Sequence, residues 1–147
     1  MSRTSLVAMA VLTLVVACAP PGMTAVTYEG VTVVAPASWG RNQLHCGVPV
    51  KDTIVVNPGP VQELCLLYPP PRVNYVWLSS CTDCRSDSAL ARQAVRVSGR
   101  DARRGENRLP DGRTAVVLVV PDRKVVVVAV SLNPSVARGI IDSASIS

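Results

Sequence analysis

The chain has 147 residues, 48% of them apolar, and a formal net charge of +5. This length allows one domain, and the apolar share excludes an intrinsically disordered chain. Phenylalanine is absent and only two Trp and three Tyr supply rings, which argues against the stacking platforms of nucleic-acid binders, so we predict no nucleic-acid partner.

The first seventeen residues have the pattern of a signal peptide. Arg3 gives a positive start, and the uncharged apolar run from Leu6 to Ala17 follows it. That run is shorter than the roughly 20 residues that a membrane-spanning helix needs, which favours a segment that is removed on export. We therefore expect residues 1–17 to be absent from the mature protein.

Two modes of cleavage are open around Cys18. Ala17-Cys18-Ala19 has the small residues of an ordinary secretory site, although Pro20 directly after them disfavours cleavage there. Val15-Val16-Ala17-Cys18 resembles the lipobox of bacterial lipoproteins, with Val15 where that family usually has Leu. This resemblance implies a diacylglycerol anchor with palmitate-like chains on Cys18, on the outer face of the cytoplasmic membrane. The alternative is a secreted protein.

The number of cysteines agrees with a lipid on Cys18. Five cysteines are present, and lipidation would leave Cys46, Cys65, Cys81 and Cys84 for two disulfides in an oxidising compartment. Four cysteines allow three connectivities, and the sequence alone does not choose among them. A zinc site would need two close pairs, which Cys46 and Cys65 do not form, so we predict no metal and no cofactor.

Residues 18–25 are predicted to be a lipidated tether, because paired prolines extend them and a glycine follows. Residues 26–147 are predicted to be one α+β domain with an antiparallel sheet. We expect strands at 26–34, 52–56, 64–68 and 73–79, each rich in β-branched residues or bounded by turn signals. A helix is expected over 86–95, capped by Ser86 or Asp87, and an exposed loop or irregular strand pair over 98–112.

The clearest predicted element is a C-terminal hairpin. Residues 114–120 and 124–130 are almost entirely apolar and flank the turn Pro121-Asp122-Arg123. Successive apolar residues indicate that both faces are covered, which places this hairpin in the centre of the sheet. Asn133-Pro134 then predicts the start of a last helix that packs across the sheet through one apolar face: Val136, Ile140, Ile141 and Ala144.

The middle of the chain resembles a segment of uncharacterised exported proteins of high-GC Gram-positive bacteria. The matching residues are Pro36-Ala37-Ser38-Trp39, Asn42, Cys46-Gly47-Val48-Pro49, Asp52-Thr53 and Cys65-Leu66. The resemblance implies export and a disulfide between Cys46 and Cys65, and it implies no particular activity. We favour Cys81–Cys84 as the second pair.

Cys81-Thr82-Asp83-Cys84 is also the best candidate for chemistry. It follows a predicted strand and precedes a predicted helix, whose N-terminus would lower the pKa of a thiol. One interpretation is a thiol–disulfide oxidoreductase in which Cys81 attacks and Cys84 resolves. The other is a structural disulfide, which we favour because no βαβ unit precedes the motif and Ser80 stands where the redox family has Trp.

Three weaker features remain. Seven arginines between residues 92 and 113 could contact anionic lipid headgroups or cell-wall polymers, although a solvated loop is the favoured interpretation: Arg92, Arg96, Arg100, Arg103, Arg104, Arg108 and Arg113. Trp39, Tyr68, Tyr75 and Trp77 could line a ligand groove, or could be core residues. The single histidine, His45, precedes Cys46, and this pair could suggest a Cys-His dyad. Neighbours on a strand point to opposite faces, so we expect no contact between the two side chains.

The sequence therefore predicts a non-enzymatic envelope lipoprotein that binds or scaffolds an envelope protein or a cell-wall ligand. A thiol–disulfide oxidoreductase that uses Cys81 and Cys84 is the alternative.

Overall fold

The computed structural model describes residues 19–59, 72–84 and 90–147, and its regular elements are mostly strands, as the valine-rich composition predicts. In chain order they are β1 (Met23–Tyr28), β2 (Val31–Pro36), β3 (Gly40–Arg41), β4 (Leu44–His45), β5 (Val48–Pro49), β6 (Thr53–Val56), β7 (Tyr75–Ser80), β8 (Gln93–Val97), β9 (Arg100–Arg108), β10 (Thr114–Val120), β11 (Val125–Ser131), α1 (Pro134–Asp142) and β12 (Ser145–Ile146). The predicted α+β class is confirmed.

The hairpin of β10 and β11 lies in the centre of a seven-stranded sheet, as predicted. The strand order is β3-β6-β7-β11-β10-β9-β8, and the seven residues of β10 are all buried. Antiparallel pairing joins β7 to β11 and all the following neighbours. The pairs β3–β6 and β6–β7 are parallel, so this end of the sheet departs from the predicted antiparallel arrangement.

One face of the sheet is covered by α1. The helix begins where predicted, because the Asn133 side chain accepts a hydrogen bond of 3.0 Å from the backbone N–H of Ser135. Ala137, Ile140 and Ile141 are buried in the same cluster as Val116, Leu118 and Val120 of β10. Ala144, which was expected on the helix, lies beyond its end and packs half-buried against this core.

A three-stranded sheet, β1-β2-β12, completes the covering of that face. Its hairpin turns at Glu29-Gly30, where both residues have positive φ (46° and 79°). Met23, Thr24 and Ala25 pair with β2, so the prediction that these three residues belong to a tether is wrong. These three residues belong to the antiparallel ladder of the hairpin. The composition of a proline-rich segment does not predict this pairing.

The opposite face of the sheet is contacted by described parts of the connection from β7 to β8, residues 81–84 and 90–92, which we call the crossing connection. In the sheet, β11, β10 and β9 lie between β7 and β8. Arg103 of β9 bonds to this connection: its Nε donates to the carbonyl of Ala91 (2.9 Å) and its Nη2 to that of Arg92 (3.1 Å).

The sequence predictions for this region are only partly met. Residues 93–95, expected at the end of a helix over 86–95, belong to strand β8, because pairing with β9 buries part of Val95 and Val97 against the core and overrides helical propensity. Over 98–112, where an exposed loop or an irregular strand pair is expected, the structure has the regular nine-residue strand β9. The predicted strand at 64–68 and the predicted helix caps Ser86 and Asp87 lie outside the described residues.

Candidate functional site

The two cysteines of the Cys81-Thr82-Asp83-Cys84 motif are joined where β7 ends. Their sulfur atoms are 2.04 Å apart and their Cα atoms 5.1 Å apart, so the predicted pair is present. Cys46 is also disulfide-bonded. Cys65 and Cys18 lie outside the described residues, and both the pairing of Cys65 and the lipidation of Cys18 stay predictions.

Cys81 lies inside a second apolar cluster and is only 5% exposed. Ala91 of the crossing connection, Val117 and Val119 of β10, and Val126 of β11 form this cluster with it, and Cys84 packs half-buried against its side. The backbone N–H of Cys81 donates to the carbonyl of Lys124 at 2.9 Å. Because thiol–disulfide exchange requires access to the attacked sulfur, this arrangement favours a structural disulfide.

The arginines do not form one patch. Side chains alternate along a strand, so Arg100, Arg104 and Arg108 lie on the face of β9 towards α1. Arg103 lies on the opposite face, where Arg96 of neighbouring β8 accompanies it. Strand geometry thus divides a run of charges that looks continuous in the sequence.

Most of these arginines already have partners. Ion pairs join Arg96 to Asp101 (3.1 Å), Arg100 to Asp122 (3.7 Å) and Arg104 to Asp142 (3.4 Å). Exposed pairs of this kind contribute little stability, but each one reduces the positive charge that a membrane would meet. Asp122 and Asp142 lie outside residues 92–113. The excess of arginines over acids counted within that segment therefore overstates its positive charge in the folded protein.

Arg113 is buried, 8% exposed, so for this residue both the favoured solvated loop and the alternative contact with an anionic surface are wrong. Its Nε donates to Asp111 Oδ2 (2.8 Å) and its Nη1 to the carbonyl of Val73 (2.7 Å). Its guanidinium lies 6.0 Å from the centre of the Tyr75 ring. Hydrogen bonds from Arg113 lower the pKa of Asp111, while burial raises the pKa of Tyr75 against the opposing charge of Arg113.

No protein-family model matches this chain, and no curated protein or solved structure matches it. Within the described ranges, no group of three or more His, Cys, Asp or Glu residues is placed to hold a metal ion. No helix in the same ranges is long and apolar enough to cross a membrane.

The aromatic residues are divided between the two faces of the sheet. Trp39 belongs to the main core under α1, whereas Tyr75 and Trp77 form an edge-to-face pair, 6.4 Å between ring centres, on the opposite face. They therefore do not line one groove, and Tyr68 lies outside the described residues. A separate groove of about 220 Å³ is lined by Tyr75, Leu90 and Val128 among others.

Several residues of the segment 36–66, on which the predicted resemblance to exported proteins depends, have structural roles. Thr53 is fully buried, and its hydroxyl donates to the carbonyl of Gly40 and accepts from the N–H of Gln43, both at 2.9 Å. Cys46 and Gly47 form the tight turn between β4 and β5, both with positive φ. His45 is exposed beside this turn.

A polar contact that sequence reasoning missed joins distant segments. Asp52 accepts from both the backbone N–H (2.8 Å) and the side-chain amide (3.0 Å) of Asn74. The Asn74 Oδ1 in turn accepts from the N–H of Leu132, at 2.9 Å. In the sequence, the only indication of this contact is the Asp52-Thr53 pair, which does not identify Asn74 as the partner of Asp52.

Proposed function

We propose that this protein is a lipid-anchored protein of the outer face of the cytoplasmic membrane with a non-enzymatic binding or scaffolding role. The observation that carries the proposal is the Cys81–Cys84 disulfide, in which Cys81 is buried against β10 and β11. With Cys46 also disulfide-bonded, the cysteines suit an oxidising compartment. The signal-peptide pattern and the lipobox-like residues before Cys18 supply the export route.

The same disulfide supports binding over thiol exchange. A catalytic Cys-x-x-Cys pair keeps one sulfur accessible to a substrate thiol or disulfide. Here Cys81, the attacking residue of the alternative mechanism, is packed against Val117 and Val119. Its bond to Cys84 instead closes the first four residues of the crossing connection.

Mass spectrometry tests the anchor. The full-length protein is produced in a bacterial host that processes lipoproteins, and the N-terminal peptide of the membrane fraction is analysed. We expect a chain that begins at Cys18 with an added diacylglycerol mass, and a Cys18→Ser variant that carries no lipid. A soluble mature chain with unmodified Cys18 would contradict the proposal.

Insulin reduction tests the alternative function. With dithiothreitol as the reductant, the mature protein is expected to accelerate insulin precipitation no more than a Cys81→Ala/Cys84→Ala double variant does. Acceleration by the wild type that the double variant loses would establish the oxidoreductase and overturn the non-enzymatic role.

A further inference from the structure

An apolar groove of about 340 Å³ lies between α1 and the hairpin of β1 and β2. We call it the helix–hairpin groove. Apolar side chains form most of its lining: Pro20, Met23, Val34, Pro36, Val136 and Ile140. Of these only Ile140 is buried, so the groove presents apolar surface to solvent. An apolar patch of this kind is typical of a site that contacts a protein or a membrane.

The surroundings of the groove are almost free of charge. No charged residue lines it. Glu29, at the turn of the hairpin, is the only charged residue between positions 19 and 40. The two charged residues of α1, Arg138 and Asp142, form ion pairs with side chains of β9 instead. This distribution disfavours a charged ligand, which would find no counter-charge in the groove, and favours an apolar partner.

The chain reaches this groove directly from the proposed lipid anchor. The carbonyl of Pro20 accepts a hydrogen bond of 3.0 Å from the N–H of Met23. The carbonyl of Gly22 accepts one of 2.9 Å from the N–H of Ala37. These bonds hold the chain against the hairpin from Pro20 onwards, so the tether that would let the domain stand away from the membrane is shorter than its composition predicts.

The length that remains is comparable to the headgroup layer. One residue separates Cys18 from Pro20, and the Cα atoms of the two are at most about 7 Å apart. The polar layer on each side of a bilayer is about 5–8 Å thick. A lipid on Cys18 therefore keeps Pro20, and with it the helix–hairpin groove, at the surface of the bilayer.

We infer that the helix–hairpin groove lies against the bilayer, with Pro20, Met23 and Val136 in contact with the headgroup layer and the upper ends of the acyl chains. Contact with lipid removes the apolar surface of the groove from water. The acyl chains of the anchor stay in the bilayer, because an open groove would leave part of a chain in water. This inference rests on the lipid anchor proposed above and names the surface that the anchored domain turns towards the membrane.

Quenching of tryptophan fluorescence by brominated lipids tests this contact. The lipidated protein is reconstituted in vesicles of phosphatidylcholine, with or without bromine near the top of the acyl chains. Ser135→Trp places a reporter at an exposed position that lines the groove. After subtraction of the wild-type signal of Trp39 and Trp77, we expect bromine to remove at least half of the reporter's emission.

Leu90→Trp is the matched control. Leu90 is 61% exposed and lies on the opposite face of the seven-stranded sheet, beside Gly105. The control carries the same ring on the same anchored protein, so it accounts for the affinity of tryptophan itself for membrane interfaces. We expect less than a tenth of its emission to be lost.

A charge placed in the groove should separate the domain from the bilayer. A Cβ atom added at Gly139 meets nothing within 4 Å, so this position accepts a longer side chain without repacking. In the Ser135→Trp protein, Gly139→Glu is expected to lower the quenching at least twofold, because an ionised carboxylate is costly to remove from water. Gly139→Gln has the same size without the charge and is expected to keep the quenching. Circular dichroism checks that both variants fold.

The lipid composition separates this groove from the arginines as the contact surface. Because no charged residue lines the groove, the quenching of Ser135→Trp should persist in vesicles without anionic lipid and in high salt. Quenching that requires phosphatidylglycerol and disappears with added salt would show that basic side chains hold the domain to the membrane, and would overturn the inference.

Three further results would overturn the inference: equal quenching of the two reporters, quenching that a folded Gly139→Glu variant retains in full, or energy transfer between labelled copies that shows a second copy seated in the groove. An acyl chain of the anchor in the groove would shield the reporter at position 135 from the brominated host lipids and would give the first result. Any of these results with a lipid on Cys18 leaves the proposed function standing. Absence of that lipid in the mass spectrum would overturn both.

Discussion

Gly105 is where the sheet and the crossing connection touch. A Cβ atom built on Gly105 would lie 1.8 Å from the carbonyl oxygen of Leu90 and 2.9 Å from the Cα of Ala91. Both atoms belong to the backbone, which yields less easily than a flexible side chain. Only glycine therefore allows the connection to pass this close, a requirement that is invisible in the sequence because Leu90 and Gly105 are not neighbours in the chain.

Replacing Gly105 with alanine is expected to destabilise the protein by about 1–3 kcal/mol, the usual cost of overpacking. The matched control is Gly139→Ala in α1, where an added Cβ meets nothing within 4 Å and should stabilise the helix by about 0.5–1 kcal/mol. Urea unfolding of both variants measures the difference. Wild-type stability of Gly105→Ala would show that the connection does not rest on this glycine.

At the scale of elements, the sequence identifies the apolar strands β10 and β11 more readily than the charged strand β9. The continuous valines of β10 and β11 identify a central hairpin, because burial on both faces leaves no polar alternation. Strand β9 contains six charged residues among its nine and buries only Ala102, so its composition indicates a loop. Pairing with β10 on one side and β8 on the other determines its conformation.

The central hairpin should tolerate truncation poorly. Leu118 of β10 is 1% exposed within the main core, and Leu118→Ala is expected to cost about 2–5 kcal/mol. Leu132, which follows β11 and is 46% exposed, is the control, and Leu132→Ala should change stability by no more than about 0.5 kcal/mol. Equal effects of the two substitutions in thermal or urea unfolding would contradict the assignment of β10 to the core.

At the scale of the whole molecule, ion pairs join parts that are distant in the sequence. Arg138 of α1 donates to Glu106 of β9, with a shortest distance of 2.6 Å, and this hydrogen bond lowers the pKa of Glu106. The same cause lowers the pKa of Asp111 beside Arg113. Both carboxylates thus stay ionised in the folded protein to a lower pH than in the unfolded chain.

The consequence is a defined dependence of stability on pH. Because the unfolded chain takes up protons first, the stability contributed by these carboxylates is present near neutral pH. It is lost as the pH falls below the ordinary carboxylate range, about pH 4. Glu106→Gln and Asp111→Asn should each flatten the decline of urea midpoints measured from pH 7 to pH 3. A slope unchanged in both variants would contradict this origin.

The sequence by itself determined the elements whose patterns are local, which are the central hairpin and the capped last helix. It favoured the close Cys81–Cys84 pair without choosing among the three connectivities of four cysteines. It also carries the export and anchoring pattern around Cys18, which stays a prediction. Only the tertiary structure decided that residues 93–97 form an edge strand and residues 100–108 the strand next to it, that Arg113 is buried, and that Trp39 is separated from Tyr75. Burial and strand pairing at these positions depend on contacts between residues far apart in the chain, and a local pattern of residue types does not specify those contacts.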